Sequence, residues 1–323
     1  MSTTPPGVQL ATGACVLQGE DELDFMLDGS FALHWQRTYL SHNATCGLLG
    51  QGWTVPLSFA LERAADHLLF VDLHGRRTRF PLLQEGEEFF SRYEHTTLRR
   101  TGSDAYELAT SDGLRLLFAP LADGQAVLPL QAMLDANDNG VHLQYGPHGL
   151  PLVLQGTDGY RLGFAYDLAL AATARLVEVQ RLHGEPDANG RYPTHARQLL
   201  VHYRYSAEGN LAEVHDGAGR CCRSFEYAGH ILTGHRQPSG LTARYAWSAH
   251  QPHGQVLSMQ LSSGRRWQLH YDAAARSTRV LEQADLLVIN LGTPRILDNG
   301  DLQLEAARCS QVCDKTGQPS LQV

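Results

Sequence analysis

Histidine, cysteine and clustered carboxylates are the residues of this chain that could do chemistry. There are 16 histidines and six cysteines in 323 residues. The closest histidine sets are His230 with His235, His250 with His253, and His142 with His148. A zinc centre needs a third and fourth donor converging on such a pair. None is visible beside these pairs, which sit mostly in turn-like contexts. Cys309 and Cys313 are not a two-residue-spaced pair and have no partner pair, so zinc is not expected there either. Vicinal Cys221 and Cys222 point to opposite faces of a strand, one packed and one exposed. The segment Asp135-Ala136-Asn137-Asp138-Asn139-Gly140 matches the opening of a calcium loop, with oxygens at alternate positions and a glycine to turn the chain. The position that needs a bidentate glutamate is Gly146, so a hairpin turn is expected instead.

Hydrolysis of a glycoside would need two carboxylates facing each other across a cleft. Glu20, Asp21, Glu22 and Asp24 cluster near the start, and Glu85, Glu87 and Glu88 further on. Both clusters read as solvated acidic loops. No serine stands in a Gly-x-Ser-x-Gly elbow. The expectation is therefore no catalytic residue, no cofactor-binding residue, no metal ligand and no cofactor: a protein that is not an enzyme.

The overall charge narrows the partners. Net charge is −8 and there is no basic stripe, which argues against nucleic acid. No apolar run reaches the roughly 18 residues of a membrane helix. The start, Met1-Ser2-Thr3-Thr4-Pro5-Pro6-Gly7, lacks the basic-then-apolar pattern of a secretory signal. A cytoplasmic protein is expected, with export, if any, by a route that reads no such signal. The scattered cysteines suggest no disulfide framework, and a chain of this length does not need one.

The elements that must position these residues are strands. Period-two alternation recurs in Phe31-Ala32-Leu33-His34-Trp35, Leu114-Arg115-Leu116-Leu117-Phe118 and Val141-His142-Leu143-Gln144-Tyr145. Turn pairs such as Asp112-Gly113, Asn139-Gly140, Asp158-Gly159 and Asp216-Gly217 separate the runs. The fold class expected is all-β, an antiparallel hairpin meander. A tyrosine ladder runs through its second half: Tyr145, Tyr166, Tyr205, Tyr227, Tyr245 and Tyr271, at intervals of 21, 39, 22, 18 and 26 residues. Such spacing marks one small unit repeated, each packing on the next. Three regions follow: a β-rich 1–140, a repeat region 141–280 with an insertion near 181–198, and a divergent tail 281–323 whose last ~25 residues offer little to bury.

One block is more specific. Leu33-His34-Trp35-Gln36-Arg37-Thr38-Tyr39-Leu40-Ser41, followed by Gly47-Leu48-Leu49-Gly50-Gln51-Gly52-Trp53, closely resembles the N-terminal module of Rhs proteins. Val71-Asp72-Leu73-His74-Gly75-Arg76-Arg77 with Phe80-Pro81-Leu82 looks like that family's next hairpin. Tyr203-Arg204-Tyr205, then Gly209-Asn210-Leu211-Ala212-Glu213-Val214 and Asp216-Gly217-Ala218-Gly219-Arg220, is similar to its YD repeat. The resemblance covers roughly residues 8–280.

The resemblance implies a bacterial polymorphic toxin of interbacterial competition, commonly delivered by type VI secretion. Its YD repeats spiral into a β-shell around a C-terminal toxin domain, and the N-terminal module helps close one end. A toxin domain, an immunity protein and a secretion spike protein are the partners implied. The family's self-cleavage repeat, toxin domain and spike module have no counterpart here, so the chain reads as an N-terminal fragment or a truncated member. A sheet that stopped near 267–271 would expose an edge strand, which the apolar run Leu286–Leu291 is expected to cap. The leading expectation is a non-enzymatic shell segment. A carbohydrate- or protein-binding β-repeat module is the alternative, and a glycan-active hydrolase comes third.

Overall fold

Strands alternate with tight turns along the whole described chain, because side chains of period two bury one face and wet the other. Arg77–Pro81 runs exposed, buried, exposed, buried, exposed, and Thr242–Trp247 keeps the same rhythm. The computed structural model describes residues 4–146, 148–170, 173–187 and 192–282, and beyond Glu282 the backbone of five strand segments. Helical structure among the described residues is confined to the single 3-10 turns Glu20–Glu22 and Thr194–Ala196. The fold is the all-β antiparallel meander that the alternation predicts.

The residues group into two compact units. One contains 22–38 and 45–221, the other 4–21, 39–44 and 222 onward. In the first, Ala60–Arg63 pairs with His67–Val71, which pairs with Arg77–Pro81. Glu88–Ser91, Thr96–Arg100, Tyr106–Thr110 and Arg115–Phe118 then follow as successive hairpins. The long strand Val127–Leu134 forks the sheet. Its first half pairs with Ala60–Arg63 and its second half with Gly140–Tyr145. The hairpins continue through Pro151–Gly156, Arg161–Asp167, Arg175–Leu182, Arg197–Tyr205 and Leu211–Asp216. The connection between Arg175–Leu182 and Arg197–Tyr205 accounts for the 39-residue interval in the ladder.

In the second unit, strands from Cys222 to Glu282 form the same meander. The segments 4–21 and 39–44 are bonded into it. Val256 N–H donates to the Gly13 carbonyl (2.9 Å), Thr278 Oγ1 to the Leu10 carbonyl (2.9 Å), and Cys15 N–H to Ser41 Oγ (3.0 Å). The edge expected at 267–271 does not exist. Ser277–Glu282 pairs along it from Trp267 to Asp272, and Asp285–Asn290 pairs with Ser277–Glu282 in turn. The run expected to cap therefore lies one strand further out, with Leu291 outside the described residues. The disorder expected of the last residues also falls outside them, apart from the strand segments.

Candidate functional site

Two constructions dominate the interior, one repeated and one unique. The repeated one explains the tyrosine ladder. Five rungs stand just after a β-bulge, where the register slips between Gln144 and Tyr145, Ala165 and Tyr166, Arg204 and Tyr205, Glu226 and Tyr227, and Ala246 and Trp247, while Tyr271 stands in unbroken register. A bulge re-aims the side chain that follows it. Tyr166 Oη donates to the Pro151 carbonyl (2.7 Å) and Tyr271 Oη to that of Val256 (2.8 Å), each 15 residues upstream. Tyr145 donates likewise to Leu130, and Tyr205 to Leu176 across the longer connection. The acceptor is handed along: Pro151 stands opposite Tyr145 and receives Tyr166, and Leu176 stands opposite Tyr166 and receives Tyr205.

The ladder corrects the sequence reading at one position. Trp247, not Tyr245, is the rung: its Nε1 donates to the Leu232 carbonyl (2.9 Å), again 15 residues upstream, and Leu232 stands opposite Tyr227. A ring with an N–H does what a ring with an O–H does. Tyr245 instead stacks on buried His235 (5.8 Å between centroids), within 3.2 Å of its Nε2. Arg223 Nη2 lies 3.1 Å from Nδ1 of the same ring. Burial, then the Arg223 charge, lowers the His235 pKa to about 3. Burial raises the hydroxyl pKa of Tyr145, Tyr166, Tyr205 and Tyr271, which keeps them as donors.

The unique construction is built by the Trp35-Gln36-Arg37 part of the specific block. Alternation along the strand turns Trp35 and Arg37 to one side, both essentially inaccessible to solvent. Arg37 Nε meets Asp24 Oδ1 at 3.0 Å and Oδ2 at 2.9 Å, and Nη1 meets Glu22 Oε2 at 2.8 Å. Its guanidinium lies over the Trp53 ring, 5.3 Å from the centroid. Trp35 Nε1 donates to Tyr203 Oη (2.9 Å), which donates to Asp24 Oδ2 (2.6 Å). Trp35 is also sandwiched between Phe25 and Phe164. Burial disfavours the Arg37 charge, but Asp24 and Glu22 outweigh it and hold the guanidinium protonated. Burial, and then Asp24, push the Tyr203 hydroxyl far up.

Glu22 and Asp24 are thus not in a solvated loop. Their side chains are 1% and 4% exposed, because both are drawn in to the buried Arg37 guanidinium. The signal available in the sequence was the i,i+2 spacing of Glu22 and Asp24, which puts both on one side of an extended chain. The following turn is docked just as closely. Leu176 N–H donates to the Leu48 carbonyl (2.9 Å), and Arg175 reaches Cys46 Sγ (3.1 Å) and the Gly209 carbonyl (2.9 Å). Gly50 has φ +104°, and a Cβ there would sit 3.0 Å from the Gly209 oxygen.

The other residues with chemical promise serve the backbone. Asp135 Oδ1 accepts from the Asn137 and Asn139 amides at 2.7 and 2.9 Å, which makes the calcium-like loop a self-capped hairpin turn. Asp72 and Asp216 cap their own turns at the same offsets. Glu85, Glu87 and Glu88 are exposed. Cys221 is exposed and Cys222 half-buried. None of the three histidine pairs belongs to a group of three convergent donors among the described residues. Glu213, His215 and Cys221 do form such a group, their ligand atoms within 4.8 Å of one another. It escaped the sequence reading because its third member arrives only when the hairpin closes.

Residues 6–80 match a family model described as a domain of unknown function (DUF6531). The chain is 31% identical over 274 residues to the toxin protein Tse5 of Pseudomonas aeruginosa, covering 76% of this chain and 21% of that protein. It is 27% identical over 274 residues to double-stranded DNA deaminase toxin A of Burkholderia cenocepacia, covering 84% and 18%. It is also 27% identical over 248 residues to the probable deoxyribonuclease RhsB of Dickeya dadantii, covering 75% and 16%. The chain spans about a fifth of the length of these curated relatives. Among solved structures, a TcdB2-TccC3-Cdc42 complex aligns over 93% of this chain and 19% of that one, at 11% identity and a TM-score of 0.44. The curated relatives bear out the resemblance of the 33–53 block: the chain belongs to the Rhs, or YD-repeat, family of polymorphic toxin proteins.

Proposed function

We propose that residues 4–282 are a stretch of wall in a YD-repeat shell that encloses and delivers a toxin in competition between bacteria, and that this stretch catalyses nothing itself. The observation that carries the reading is the relay of rungs. At four steps an aromatic stands opposite the residue whose carbonyl receives the next one, a scheme with no built-in last member. That suits a wall lengthened by adding hairpins. The module around Trp35 and Arg37 supplies the opposite property, a single fixed starting point. The rest of a longer protein, where there is one, would supply further wall and the cargo. An immunity protein and a secretion spike protein are the partners this role calls for. Type VI export, which needs no N-terminal secretory signal, is the route the family suggests.

The alternative of a carbohydrate-binding surface draws no support from the ladder, because four tyrosine hydroxyls already donate to main-chain carbonyls. Limited trypsin digestion of the protein as its own cell makes it tests the proposal. The expected result is that these strands survive together with any further sequence they enclose, and that Arg37→Ala opens the whole set to cleavage. Equal digestion of the enclosed sequence in wild type and variant would mean that nothing is shielded, and the reading would fall.

A further inference from the structure

We infer that Glu213, His215 and Cys221 form a binding site for a zinc-class divalent cation. Glu213 and His215 are two apart on the strand Leu211–Asp216 and so share a face. The turn capped by Asp216 brings the chain back and sets Cys221 next to them, with the three ligand atoms within 4.8 Å of one another. Tetrahedral zinc places its donors roughly 3–4 Å apart, so ordinary side-chain adjustment completes the geometry.

The hydrogen bonds of His215 point the same way. Its Nδ1 lies 3.2 Å from the Gly219 carbonyl, and its Nε2 lies 2.7 Å from Glu213 Oε2. Both neighbours are acceptors, while an imidazole with one proton has one N–H to donate. A proton on Nδ1, bonded to the Gly219 carbonyl, leaves the Nε2 lone pair facing a carboxylate. A ring with both protons satisfies both acceptors, and a cation can take the place of the Nε2 proton once Nε2 and the carboxylate part by the few tenths of an ångström that zinc ligands need. The carbonyl on the far nitrogen is then the usual outer partner of a metal-bound histidine. His215 is buried, whereas Cys221 is exposed, which leaves an open side for entry.

Imidazole, thiolate and carboxylate together favour zinc or cobalt over calcium or magnesium, which take oxygen ligands. His202, directly opposite His215 with ring centroids 6.0 Å apart, is a protein group that could take the fourth position; water is the other occupant. Arg204 Nη1, 3.5 Å from Glu213 Oε2, must swing away, and its side chain is exposed enough to do so. The ion would staple one hairpin of the wall, a role separate from the rung relay.

Cobalt titration of the full chain, with zinc competition against a chromophoric chelator, tests the site. One ion per chain with a thiolate-to-cobalt charge-transfer band is expected, and the band should vanish in Cys221→Ser. Zinc affinity should fall about tenfold or more in His215→Gln and Glu213→Gln and hold in Cys222→Ser. Near-UV circular dichroism of the apo variants should match wild type, which separates lost ligation from lost fold. Absence of the band in wild type, its survival in Cys221→Ser, or affinities in all variants within about threefold of wild type would overturn the proposal.

Discussion

The anchoring module and the repeat hairpins use the same residue types in opposite ways. Around Trp35 and Arg37, side chains bond to side chains, and a buried positive charge is matched by Glu22 and Asp24. Along the ladder, a side chain bonds to backbone, and any ring with a donor will serve, as Trp247 does in place of a tyrosine. Backbone carbonyls are present at every position whatever the sequence, so the rung can be repeated and varied. Two carboxylates, a guanidinium and a tyrosine hydroxyl meet only where each is encoded. The contrast predicts that damage to the anchor is severe and damage to a rung is modest.

The largest effect should come from Arg37→Met. Two buried carboxylates would lose their partner, at a cost of about 3–5 kcal/mol, read as a fall in the urea midpoint of unfolding. Adding Glu22→Gln and Asp24→Asn should restore much of that loss; a triple variant no better than the single one would mean that packing, not charge, makes the anchor. Tyr203→Phe should cost about 1.5–3 kcal/mol, because Asp24 loses a charge-assisted bond and Trp35 an acceptor. If it costs no more than a rung, the contrast between the two regions is broken.

The pH dependence sharpens the same comparison within the second unit. His235 has its folded pKa lowered to about 3. The unfolded chain therefore binds the proton first as pH drops below the ordinary histidine value. The contribution is complete above that value and is lost toward pH 3, by up to about 1.4 kcal/mol per pH unit. Subtracting the stability profile of His235→Gln from that of wild type should isolate this slope; parallel profiles would exclude it. Rung tyrosines act at the other end. Their hydroxyl pKa values are raised in the fold, so their contribution is full below the unfolded tyrosine value and declines as pH climbs past about 10. Tyr166→Phe should flatten part of that alkaline loss.

At neutral pH the rungs give the smallest effects. Tyr166→Phe should cost about 1 kcal/mol, the worth of one neutral hydrogen bond. Trp247→Tyr should cost less than Trp247→Phe by a similar margin, since only the first keeps a donor. Thermal midpoints of the three variants check this, and a Tyr166→Phe loss equal to that of Arg37→Met would end the distinction.

Much of the architecture was legible in the residues themselves. Period-two alternation and Asp-Gly or Asn-Gly turns specify hairpins locally, so the all-β meander follows without tertiary information. The 33–53 block was legible as a unit because uncommon residues stand at fixed offsets. The rung at Trp247 was not. Tyr245 and Trp247 both lie on the buried face of the strand Thr242–Trp247, and only the register across the hairpin, with its bulge between Ala246 and Trp247, decides which one reaches a carbonyl. Nor was the burial of Glu22 and Asp24, since an acidic cluster looks solvated until a guanidinium is brought to it.

By itself, then, the sequence determined which segments are strands, where they turn, and that aromatic residues recur along them. These are short-range properties, set by side-chain alternation and by the backbone angles that glycine, asparagine and aspartate allow. Only the tertiary structure decided which aromatic is a rung, which carboxylates are buried, and which donors meet at Glu213, His215 and Cys221. Those outcomes depend on register across strands and on what lands beside a charge once water is excluded, and no local pattern encodes either.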